Sequence, residues 1–83
     1  MKYIIKVIKL KSLKDLTVGE SCTVIDFSVH GSMLRRFMDI GLIKNTRVSC
    51  VGESPSGDPK AYLIRGAVIA IRSEDAEKIT VEG

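Results

Sequence analysis

Along most of this chain the apolar side chains recur at every second position, and the spacing becomes helical only once, near residue 35. Successive side chains of a strand point to opposite faces, whereas neighbours on a helix lie three and four apart, so the two spacings separate the elements. Residues 22–27 (CTVIDF) read as the first secure strand. Residues 46–53 read as the second, with Val48 and Cys50 on one face and Arg47, Ser49 and Val51 on the other. Residues 62–65 and 67–72 form two more, and Gly66 between them permits a tight reversal. Residues 79–81 make the closing strand. Upstream, residues 3–10 (YIIKVIKL) are rich in β-branched types, which favours an edge strand or a partly ordered arm.

The helical stretch follows the first secure strand. Ser32 can cap it, Met33 pairs with Phe37 and Leu34 with Met38 at four-residue spacing toward the core, and Arg35, Arg36 and Asp39 face away. Gly41 sits where a left-handed residue would end it. A helix of about two turns does not persist alone in water, so it must pack on the strands. Residues 54–59 (SPSGDP) are a cluster of breakers and predict an exposed loop. Ser73, followed by Glu74, Asp75 and Glu77, suits a single helical turn with a capping serine. Five to six short strands with one short helix inserted after the first core strand give a mainly-β chain, read as a small closed barrel.

Composition narrows the class. With 83 residues and 9.1 kDa there is room for one domain, and 45% apolar with 28% charged residues is globular rather than disordered. No apolar run is long enough to span a bilayer. The two cysteines stand 28 positions apart, too few for a disulfide framework, and lysines interrupt the N-terminal apolar stretch where a secretory signal would be continuous. These features read as a cytoplasmic chain with reduced thiols. Residues 1–14 carry +5 and residues 15–83 carry −2. The basicity thus belongs to a lysine-rich N-terminal strand or arm, residues 1–11, ahead of the body at 12–83. That distribution, with only four aromatics, argues against a nucleic-acid-binding barrel and reads as a charged strand edge or a contact for an acidic partner or an anionic membrane surface.

Candidate chemistry is sparse. The chain has no P-loop and no C-x-x-C pair. His30 is a polar loop residue or a metal ligand; Cys22 and Cys50 are small core hydrophobes or, with His30, a converging ligand set. In Gly57-Asp58-Pro59, the Asp58 carboxylate folds onto nearby amides to fix the loop, or the rigid loop touches a partner. Arg35 and Arg36 are solvated, or their planar forks grip carboxylate or phosphate. No catalytic constellation results, so the chain reads as a non-enzyme.

Taken in order, Leu13 with Val18-Gly19-Glu20, then residues 34–42 (LRRFMDIGL), Gly57-Asp58-Pro59, Arg65-Gly66 and Ala70-Ile71-Arg72 resemble the FeoA family, the small cytosolic component of bacterial ferrous iron transport. The resemblance runs from about residue 12 to residue 82. It implies an SH3-like β-barrel and an accessory or regulatory role, docked on the cytosolic part of an FeoB-type membrane transporter that carries a GTPase domain. It leaves open direct binding of ferrous iron, a homo-oligomer, and a place at the inner face of the membrane through the partner. Lys44-Asn45 departs from the Pro-Gly common in the family at that point; Asn45 still tolerates a left-handed turn.

Overall fold

The structure, a computed structural model, describes residues 10–83. In chain order it contains β1 (Leu10–Ser12), a 3-10 turn (Leu13–Asp15), β2 (Ser21–Phe27), α1 (Ser32–Asp39), β3 (Arg47–Glu53), β4 (Lys60–Ile64), β5 (Ala67–Ile71), α2 (Ser73–Ala76) and β6 (Ile79–Glu82). The strand expected over residues 3–10 lies outside the described residues, apart from Leu10, which opens β1.

All six strands join one antiparallel sheet in the order β1-β6-β2-β3-β4-β5. Two register shifts bend it. Ile25 is the extra residue of β2 against β6, and Val51 the extra residue of β3 against β4. A bulge increases local twist, which curls a sheet this small around its own apolar face. Val24, Val48, Tyr62, Ile64, Ile79 and Val81 all point inward and are buried. Leu13 and Leu16, from the segment after β1, are fully buried within the same core.

No backbone ladder links β5 to β1, the two ends of the strand order. Side chains of β4 make the closure instead. Tyr62 Oη donates to the Leu13 carbonyl at 3.3 Å, and Lys60 Nζ donates to the carbonyls of Lys14 at 2.8 Å and Leu16 at 2.7 Å. The 3-10 turn is held by Asp15, whose carboxylate accepts from both the backbone N–H and the hydroxyl of Ser12. The reversal at residues 65–66 is as expected: Arg65 (φ 50°) and Gly66 (φ 84°) are both left-handed, as a two-residue hairpin turn of the right twist requires. Asn45 also takes the left-handed conformation, with φ 72°.

Candidate functional site

Among the described residues the helix α1 is the one substantial element outside the sheet, and its N-terminal end is built differently from expectation. Ser32 is the first helical residue rather than the cap. Gly31 holds the cap position at φ 70° and ψ −139°, and its carbonyl accepts from Arg35 N–H at 3.1 Å. Only glycine enters a helix comfortably by that route, so the serine hydroxyl has no capping role. The far end follows the reading. Leu42 N–H donates to the Phe37 carbonyl at 2.9 Å and Gly41 N–H to the Met38 carbonyl at 3.0 Å, with Gly41 at φ 94°. That pattern satisfies the last carbonyls and packs buried Leu42 near buried Phe37. A Cβ on Gly41 would lie 2.9 Å from Cδ of Arg65, so the hairpin tip rests against the helix end.

Two grooves flank α1. Met33 and Phe37 reach the core, where Phe37 stacks on Phe27 at 6.2 Å between ring centroids. Leu34 and Met38 do not: Met38 is 49% exposed, because the second four-residue row turns away from the sheet. This row lines an apolar groove with Phe27, Val29 and Ile43, rimmed by Asp26 and Lys44. On the opposite flank a cleft of about 370 Å³ separates α1 from β5. Met33, Phe37 and Ile40 face Ile69 and Ile71 across it, and Arg36, Asp39, Arg72 and Asp75 supply its polar rim. Arg35 and Arg36 are both exposed.

The loop between β3 and β4 is tied down more widely than its sequence suggests. Ser54 and Ser56 hydroxyls both donate to the Asp58 carbonyl, at 2.7 and 3.0 Å. The Asp58 carboxylate leaves its own loop and accepts from Ser73 N–H at 2.9 Å and Ser73 Oγ at 3.0 Å. Ser73 is thus the first residue of α2 and is itself capped; the capping group lies fifteen residues away. An acidic side chain there also suits the positive end of the turn. The Gly57–Pro59 loop and the Arg36-lined cleft therefore meet at α2, since Arg72 and Asp75 line that cleft.

Cys22 and Cys50 point inward from β2 and β3. They lie two register positions apart, because Cys22 faces Val48 in the ladder. Both are free and buried, as small core hydrophobes are. Burial pushes the Cys22 thiol up from 9.0 to about 11, so the nucleophilic, metal-binding thiolate is disfavoured. Burial, followed by the neighbouring Cys50 and Cys22, likewise raises Tyr62. His30 is exposed in the loop before α1. Among the described residues no three His, Cys, Asp or Glu side chains stand close enough to share a metal ion. The pairing of Asp58 with Ser73 and the cover of Gly41 by Arg65 carry no local sequence signal. The bare apolar run of β5 is a signal that sequence reading could have used. No helix of the described residues is long and apolar enough to cross a membrane.

This geometry has relatives. The FeoA-like protein of Clostridium acetobutylicum superposes with a TM-score of 0.81 at 30% identity, over 89% of this chain and 86% of that one. The zinc complex of Stenotrophomonas maltophilia FeoA, an SH3 domain protein, superposes at 0.74 with 24% identity, over 84% and 87% of the two chains, a likeness of fold. A fusion of Fe(2+) transport protein A with the Fe(2+) transporter FeoB from Porphyromonas gingivalis is 29% identical over 70 residues. That match covers 84% of this chain but spans only 8% of the fusion protein. Residues 11–83 match the FeoA domain, and with the curled SH3-like sheet in place the chain belongs to the FeoA family.

Proposed function

We propose that this chain is a non-enzymatic accessory of ferrous iron uptake that docks on the cytosolic part of an FeoB-type transporter. The carrying observation is the Porphyromonas gingivalis relative, in which a sequence like this one and the transporter share one polypeptide. Covalent joining holds two modules at high effective concentration, an arrangement that serves modules acting on each other. The surface offered is rigid and unreactive. Arg35 and Arg36 project from α1, and the Gly57–Pro59 loop is fixed through Asp58 to α2 on the neighbouring side. Exposed arginines on a pinned helix suit carboxylates of a partner, and such contacts weaken with salt.

Calorimetry or co-purification with the transporter's isolated cytosolic domain tests this. Binding is expected at low salt, weaker at high salt, and reduced about tenfold, or about 1.4 kcal/mol, by the double change Arg35→Glu and Arg36→Glu. Absence of any association at low salt overturns the docking. The rival reading, direct sensing of ferrous iron through His30, Cys22 and Cys50, has less support because the thiols are buried in the core while His30 is exposed. An anaerobic iron titration that shifted the unfolding midpoint of the wild type, and not of a Cys50→Ala variant, would restore it.

A further inference from the structure

Among the described residues strand β5 ends the sheet order and has a neighbour on one side only. Its hairpin with β4 turns over two residues, so Ile64 and Ala67 form the bonded pair beside the turn. Bonded and non-bonded pairs then alternate along an antiparallel ladder. Ala67, Ile69 and Ile71 therefore direct their N–H and C=O groups to β4, and Val68 and Ala70 direct theirs away. Among the described residues, no backbone hydrogen bond outside the ladders engages those groups.

Proteins usually shield such an edge with a lysine, a proline, a bulge or a covering element. β5 (AVIAI) has no charge, no proline and no register shift against β4. Val68 is 64% exposed and stands opposite Leu63, itself 39% exposed, on the outer face. The helix α1 stops short of the edge and leaves the cleft of about 370 Å³ beside it.

We propose that β5 pairs antiparallel with β5 of a second copy, about a two-fold axis through Ile69, so that two sheets become one. In this register Ala67 faces Ile71, Val68 faces Ala70 and Ile69 faces its own copy. The Val68–Ala70 pairs are then the bonded ones, and these are the residues whose backbone groups are open. A slip of one residue would oppose open groups to spent ones. Ile69 and Ile71 of the incoming strand fall on the inner face, toward the apolar wall of the cleft at Met33 and Phe37. The paired residues 67–71 carry no charge, so no like charges oppose along the strands; at each end Arg65 of one copy lies near Arg72 of the other, with Glu74 and Asp75 beyond it. Such an interface is self-complementary, as two-fold symmetry demands.

The solution mass of the full chain, by sedimentation or light scattering in the high-micromolar range, tests the proposal without reference to the transporter. Twice the monomer mass is expected for the wild type. Ala70→Pro removes an outward N–H that β4 does not use, which an edge strand tolerates, and Val68→Lys adds the missing charge. Both variants are expected to return to monomer mass with unchanged far-UV circular dichroism. Amide exchange at Val68 and Ala70 is expected to slow as the dimer forms. A monomeric wild type, a dimer that survives both substitutions, or fast exchange at both amides in the dimer overturns the proposal. Loss of the dimer on deleting residues 1–9 alone does so too, by moving the contact to that segment.

Discussion

Asp58 faces solvent, yet both its carboxylate oxygens are engaged with Ser73, so its first duty is to hold α2. Asp58→Ala is expected to cost about 0.5–2 kcal/mol in urea unfolding, and Asp58→Asn less, because an amide oxygen still accepts one bond. Gly41 is constrained twice, by its φ of 94° and by Arg65 against it. Gly41→Ala is expected to cost about 1–3 kcal/mol, part of it recovered in an Arg65→Ala background. The buried thiol sets an alkaline limit. Cys22 titrates at about 11 in the folded chain against 9.0 when exposed, so the folded state holds the extra proton between those values. Stability from this group is complete below pH 9 and falls as pH rises toward 11; Tyr62 acts in the same direction. Urea midpoints measured across that window check the slope, and Cys22→Val is expected to flatten it in part.

Elements were legible where one neighbouring residue decides them. Gly41 with Leu42 announces the end of α1, and Arg65-Gly66 announces the hairpin, because both depend on left-handed backbone that few residues adopt. The alternation of Val48 and Cys50 against Arg47 and Val51 gave the buried face of β3 correctly. What failed was decided by the fold. Helical spacing offers Met33–Phe37 and Leu34–Met38 as equal rows, and only the position of the sheet leaves Met38 outside. Ser32 and Ser73 both looked like caps, yet Gly31 and Asp58 supply what each helix start needs. Among the site candidates, the core reading of Cys22 and Cys50 and the loop reading of His30 are what the structure shows, and only the fold decides that the three do not converge. The seam between β4 and the 3-10 turn was equally hidden, since its partners are more than forty residues apart. Lys60→Met keeps the aliphatic stem and removes both charge-assisted bonds across that seam. It is expected to cost about 1–3 kcal/mol and to speed amide exchange in β4.

For the molecule as a whole, a core of this size has little reserve. Net stability of a small domain is about 5 kcal/mol, so one well-placed cavity can unfold it. Ile79 is fully buried in β6, a strand hydrogen-bonded on both sides. Ile79→Ala is expected to cost about 2–5 kcal/mol and to leave much of the chain unfolded at 37 °C, seen as loss of β-sheet circular dichroism. The same position of β6, between β1 and β2, governs how the chain is made. Among the described residues β1 precedes every other strand, and its ladder partner is β6, which follows them all. On the ribosome β1 must wait until β6 has emerged, and β2 lacks one flank for just as long. Nascent chains stalled anywhere before Ile79 would therefore present unmatched strands to chaperones and to each other, and folding of this sheet is timed to the emergence of β6.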